Sequence, residues 1–239
     1  MAWGLTVVTD QRTADLCRFY QLLARLEVRV CGTRHLKDCS KGSGWPERGV
    51  YFFFEQGEIR SGSGSGLRVV RVGTHAITGR SKTTLWNRLS QHRGAENLGG
   101  NHRASVFRKL VGRALTARYS NLAVPTWGIN SSAALSIRVA ERPLEEEVSR
   151  YISAMPFLWL SVEDSPSPSS RRALIERNSI ALLSNATLGV NAEADPPSST
   201  WLGLDCPHTD VRESGLWNSR HVHEIYNPAF LDELDRLVS

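Results

Sequence analysis

No apolar run in this chain approaches the ~20 residues needed to cross a bilayer. Its first residues, MAWGLTVVTDQR, lack a basic-then-apolar export signal. Both absences lead us to expect a cytoplasmic protein. The four cysteines, Cys17, Cys31, Cys39 and Cys206, contain no C-x-x-C pair. Spread through a chain without an export signal, they read as buried or idle thiols rather than a disulfide frame. Cys31, Cys39 and His35 fit no common zinc spacing and lack a fourth ligand. No internal repeat is present.

Acid is also scarce where base is dense. Residues 71–118 hold ten Lys or Arg against a single acid, Glu96, whereas residues 193–239 hold nine acids and three arginines. The net charge of +5 therefore hides a basic block and an acidic tail. Such a block suits a polyanion, most commonly a phosphate backbone; the same pattern also describes a solvated face complementing the tail.

What is present suffices for one core: 239 residues, 41 % hydrophobic, with room for a small appendage. Leu16, Phe19, Leu23 and Leu26 recur at helical spacing, with Thr9 or Asp10 as a cap and Gly32 past the end. VYFFFE and LRVVRVG have strand character, and the Gly/Ser-rich segment between them reads as a hairpin connection. SKTTLWNRLSQH predicts a helix capped by Ser81. ASVFRKLVGRALTARY predicts a second and PLEEEVSRYISAM a third. FLWLSVED predicts another strand, and SPSPSS opens the helix RRALIERNSIALLSN. A short helix, PAFLDELDRLV, ends an otherwise irregular tail.

Alternation puts Tyr51 with Phe53 on one face of its strand, and Arg71 with Gly73 opposite Val70 and Val72 on the next. A strand tyrosine ordinarily covers a core edge; as a base, its phenol needs nearby cations to lower a pKa of ~10. Arg88 and His92 share one helical row beside Leu85 and Leu89. Arg88 either lays its stem on apolar surface or meets a phosphate bidentately. His92 is either a structural hydrogen-bonder or a proton carrier near neutral pH. Glu176 heads an apolar stripe with Ile180 and Leu183. It needs a cation, either an arginine or a hard divalent ion held by one carboxylate and several waters.

These residues, in this order, resemble the GIY-YIG nuclease superfamily. Gly49-Val50-Tyr51 is similar to the first signature, with valine for isoleucine. Arg71-Val72-Gly73 stands where the second would be, its tyrosine replaced by arginine. Arg88 and His92 resemble an Arg-x-x-x-His pattern of some restriction enzymes in the superfamily. Glu176 in LIERN matches the family's metal-binding glutamate, and Asn185, or alternatively Asn191, a family asparagine near it. The resemblance spans roughly residues 49–185, and the whole chain looks like a group of bacterial GIY-YIG proteins.

The resemblance implies an α+β fold: a small antiparallel three-stranded sheet from VYFFFE, LRVVRVG and FLWLSV, flanked by helices. Residues 1–48 would be a helical extension, 49–185 the nuclease core with a basic helical insertion, and 186–239 an acidic extension. The implied activity is hydrolysis of phosphodiester bonds, of double-stranded DNA, with one Mg²⁺ or Mn²⁺ on Glu176. Tyr51, helped by Arg71 or His75, would activate water, Arg88 would stabilise charge, and His92 and Asn185 would complete the site. His102, Arg103, Arg108, Lys109 and Arg113 would contact phosphates. A nucleic-acid-binding module that has lost catalysis, with Arg71 marking the loss, is the alternative. A purely structural protein is a third.

Overall fold

The computed structural model describes residues 3–79, 81–186 and 194–239. Its centre is a four-stranded antiparallel sheet in the order β1-β4-β2-β3. The strands are β1 (Arg34–His35), β2 (Gly49–Ile59), β3 (Leu67–Gly73) and β4 (Pro156–Ser161). The three expected strands are there. The fourth, β1, is a two-residue pairing with Phe157 and Pro156, too short to leave a periodic signal in sequence.

Helices cover both faces. On one, α1 (Trp3–Arg29), α5 (Arg171–Leu183) and α7 (Phe230–Val238) pack on Val50, Phe52, Val72, Leu158 and Leu160. On the other, α2 (Leu85–Arg93), α3 (Val106–Arg118) and α4 (Leu135–Ser153) pack on Tyr51, Phe53 and Phe157. Residues of 1–48 and 186–239 thus pack directly on the sheet and its helices, with Trp201, Trp217, Phe230 and Leu231 buried. A short helix, α6 (Thr209–Ser214), lies in the tail that was expected to be irregular.

Alternation fails once, in β3. Tyr51 faces Gly73 and Phe53 faces Arg71, but Phe54 pairs with Val69. The resulting β-bulge leaves Val70 opposite no partner and turns it into the Tyr51-side core. Val70 therefore does not share a face with Val72.

Three helix starts differ from the sequence reading. Helix α1 runs through Thr9 and Asp10, since neither residue breaks a helix; Gly32, at φ +98°, follows its end. Helix α2 is capped by Thr84, which accepts the Asn87 N–H, while Ser81 bonds Thr83 instead. Helix α4 begins at Leu135 and carries Pro143 inside it. A proline removes one N–H, and the helix continues past it because its first turns face solvent, with Leu135 and Val139 more than half exposed.

The tail fastens to the hairpin at several points, two of which bear on the site. Asp195 accepts the backbone N–H groups of Ser61, Gly62 and Ser63 at 2.9–3.0 Å, and the Ser63 hydroxyl. Trp217 donates its backbone N–H to Val70 O at 2.7 Å. The Asn218 amide both accepts from Val72 N–H (3.2 Å) and donates to Val72 O (2.9 Å).

Candidate active site

The two signature-like segments meet across the sheet. Tyr51 pairs with Gly73, and its ring lies over that glycine so closely that a Cβ there would sit 2.3 Å from the phenol oxygen. Only glycine permits this contact. The phenol oxygen lies 2.8 Å from His92 Nε2, and His92 Nδ1 lies 2.8 Å from Ser105 Oγ. Ser105 in turn caps α3 by accepting the Arg108 N–H. His92 is fully buried. Burial, with Arg88, Arg71 and Arg108 nearby, holds its pKa well below the usual value. The imidazole is therefore neutral, one ring nitrogen donating and the other accepting.

Beside this pair lies a cleft of about 350 Å³. Arg71, Thr74, His75, Arg88, Glu176 and residues 218–221 are among its lining. Four of the expected site residues thus share one cleft, while Tyr51 is enclosed behind it, with no exposed surface. Arg71 connects the two, because its guanidinium interacts with both the Tyr51 phenol and the Glu176 carboxylate. It donates to Trp217 O, and its Nε, though buried, has no partner. Burial lowers its pKa, yet a guanidinium stays charged at any working pH.

Glu176 Oε1 accepts the Thr74 N–H at 3.0 Å, and its other oxygen has no protein donor among the described residues. Burial raises its pKa against the opposing pull of Arg71, Thr74, His221 and Arg88. No three His, Cys, Asp or Glu side chains converge among the described residues. One partly free carboxylate fits a hard cation that keeps most of its waters and shares phosphate oxygens, as Mg²⁺ does; it does not fit a caged Zn²⁺. Arg88 is half-buried on α2 and donates to Gln91 Oε1 (3.0 Å) and Ala104 O (3.2 Å). Those bonds fix its direction, while buried Leu85 and Leu89 hold the helix on the core.

His75 is the cleft's free acceptor. Its Nδ1 donates to Thr83 O at 2.8 Å, leaving Nε2 with a lone pair, buried and without a partner. Burial is the main cause pushing its pKa down to about 4. The loop that carries it is held by Arg172, which donates to His75 O and Ala76 O and pairs with Asp164. Nothing in RRALIERN distinguishes Arg172 from its exposed neighbour Arg171, and sequence reasoning missed it. Asn218 was missed too, because it arrives from far along the chain.

Two buried neutral histidines give a sign to the acid response. An unfolded histidine binds its proton near pH 6.5, whereas folded His75 resists until about 4. Stability is therefore fully present above the unfolded value and is lost as pH falls through that window. Urea midpoints followed from neutral pH into this range should drop, and His75→Gln should make the drop shallower. An identical slope in the variant would remove His75 from the account.

Other expected residues lie elsewhere. Asn185 is buried away from the cleft, accepting from Arg12 at 3.2 Å and reaching Asp195 O at 3.5 Å. Asn191 falls outside the described residues. In the basic insertion, His102 and Arg108 are buried on Glu145, and Arg103 forms a double hydrogen bond with Glu141 at 2.6 and 2.7 Å. These three do not present free charge to a phosphate backbone, because each has found an acid on α4. Arg118 pairs with Asp205. Lys109 and Arg113 are half-buried and form no ion pair among the described residues. Lys109 lines a hollow that shares Val106 with the main cleft.

No helix among the described residues is long and apolar enough to cross a membrane. Neither a curated protein nor a solved structure matches the chain significantly. The family model of the GIY-YIG domain matches residues 10–239, a span that includes the tail and most of α1 as well as the cleft. With the tyrosine on β2, the arginine on α2 and the glutamate on α5 around one cleft, the chain belongs to the GIY-YIG family.

Proposed function

We propose that the protein is a metal-dependent endonuclease that hydrolyses DNA phosphodiester bonds by a single-metal route. Family membership supports nuclease chemistry in general. The observation that carries the reading for this chain is the cleft itself. It has guanidinium groups in excess, one carboxylate with a free oxygen, and an unpartnered imidazole nitrogen, all beside an enclosed phenol.

Mg²⁺ or Mn²⁺ on Glu176 would supply Lewis-acid stabilisation of the phosphoryl and leaving oxygens. Arg88 and Arg71 meet the non-bridging oxygens and offset the charge that grows in the transition state. His75 Nε2 accepts one O–H of the attacking water and orients it. Tyr51 would act as the phenolate, its own proton having left to solvent with the Arg71 guanidinium alongside, and would take one proton of the attacking water. His92 positions the phenol without taking the proton, because full burial among three arginines disfavours an imidazolium.

The competing reading is a binding module without catalysis, and Arg71 in the place of the second signature tyrosine favours it. Plasmid and short duplexes incubated with Mg²⁺, or with chelator, separate the two. Nicks that require the metal support the nuclease; shifted bands with no nicks under any metal support the module.

The hollow that adjoins the cleft at Val106 is lined by Lys109, and Arg113 lies one turn further along α3. Each phosphate neutralised contributes about 0.9 to the slope of log affinity against log salt. Lys109→Ala and Arg113→Ala together should flatten that slope without altering which sequences bind. If the slope stays as steep as in the wild type, this face of α3 points away from DNA.

A further inference from the structure

The tail residues beyond Asn218 form a wall of the cleft that the family signatures do not include. Trp217 and Asn218 are bonded to β3 at Val70 and Val72, on either side of Arg71. Trp217 is fully buried, with its indole N–H 3.2 Å from Glu55 Oε2. Five residues on, Val222 is buried again, and its carbonyl accepts the Ser184 hydroxyl at 2.6 Å. Between these anchors the chain makes a tight turn, with His221 at φ +65° and its Nδ1 2.8 Å from Glu224 Oε1. The turn carries Ser219, Arg220 and His221 into the lining of the cleft, beside Glu176, His75 and Arg88.

Arg220 stands out because none of the described residues pairs with it. Of the tail's nine acids, the eight that the structure describes all lack an ion pair to it. Arg212 donates to Cys206 O and Thr209 Oγ1, and Arg236 pairs with Glu233. The nearby acids Asp210 and Glu224 are taken by His223, His221 and Arg177. A guanidinium on a pinned backbone, exposed and bonded to no acid among the described residues, is complementary to an anion with two oxygens to offer. Depth separates it from the other two arginines of the cleft: Arg71 is buried on the floor and Arg88 half-buried on the wall.

We propose that Arg220 binds a phosphate adjacent to the one that is cut, so that the tail fixes the register of the strand in the cleft. This rests on the nuclease reading above. The floor arginines serve the reacting phosphate, and Arg220 holds its neighbour. It is a positioning residue and touches no reacting atom.

The test uses the full chain in chelator, where binding is measured without cutting, on duplexes that each carry one neutral methylphosphonate. The wild type should lose about tenfold in affinity at one position beside the cleavage point. Arg220→Ala should bind the unmodified duplex about as weakly and show no further loss at that position. Its salt slope should be shallower by about 0.9. Arg220→Lys should recover the slope but only part of the affinity, since it keeps the charge and loses the planar fork. A methylphosphonate penalty of the same size in Arg220→Ala overturns the assignment. If the wild type binds but never cuts with Mg²⁺, the nuclease reading fails, and the penalty comparison still decides whether Arg220 meets a phosphate. If the wild type does not bind the duplex, both fall.

Discussion

Glu176→Gln is expected to abolish metal-dependent nicking while leaving the protein at least as stable as the wild type at neutral pH. The two halves have one cause. Burial raises the pKa of Glu176 above its ordinary value, so the ionised side chain is held at a cost that a neutral amide of the same shape does not carry. The sign follows from linkage: an acid with a raised folded-state pKa favours the folded state at low pH, and that advantage is lost as pH rises through its folded value. Glutamine keeps an acceptor for the Thr74 N–H and removes the only carboxylate that the described residues bring to the cleft lining. Added Mg²⁺ or Mn²⁺ should raise the melting temperature of the wild type and not that of the variant. Tyr51→Phe should lower cleavage by about 10²–10⁴-fold, the usual worth of a general base, with DNA affinity largely kept. A variant at Glu176 that still nicks, or one that melts well below the wild type, would remove the carboxylate from the role given to it.

The second large effect is on stability. Arg108→Ala should cost about 3–5 kcal/mol, the range for removing one member of a buried ion pair, read as a shift in the urea midpoint. Arg108 donates to Glu145 Oε2 (2.5 and 3.0 Å), to Glu145 O (2.8 Å), to His92 O (2.9 Å) and to Ser149 Oγ (3.0 Å). Glu145 Oε1 accepts two further bonds from His102, and His102 stacks on Trp127 at 3.8 Å. Burial alone would raise the Glu145 pKa, but His102 and Arg108 outweigh it and hold the carboxylate below its usual range. Alanine would leave that charge enclosed and unpaired. The loop before α3 is built around the same guanidinium: a Cβ at Gly100 would lie 2.0 Å from Arg108 Nη2. A loss under about 1 kcal/mol would mean that water or a local shift replaces the arginine. Because Arg108 also holds the His92 carbonyl, activity should fall with the folded fraction, while the salt slope of the folded protein stays the same.

What could be read in advance was local. Tyr51, Arg88 and Glu176 stood out through the resemblance to the GIY-YIG signatures; periodicity added that Arg88 borders the core and Glu176 heads an apolar stripe, and the cleft gathers those two. The ion pairs of the basic insertion were out of reach for a physical reason. A run of Lys and Arg in sequence says nothing about what lies opposite, and the acids that neutralise Arg103 and Arg108 are on α4, 38 and 37 residues away. The bulge at Val70 was equally hidden, since a valine is as much at home on one face as on the other. Asn218 was invisible because its amide replaces a peptide group of a strand that does not exist. Asn185 shows the converse. Its position after Glu176 suggested the site, yet tertiary structure placed it against Arg12 and Asp195.

That docked amide also bears on how copies of the protein meet one another. A sheet invites aggregation through its outermost strands, whose unpaired backbone groups can template a neighbouring chain. Here one outer strand, β1, is only two residues long. The other, β3, spends its outward groups at Val70 and Val72 on Trp217 and Asn218. The tail thereby acts as a built-in blocker of self-association. Damage to residues 217–218 would open seven residues of strand to any passing partner, and the first sign would be turbidity at high concentration.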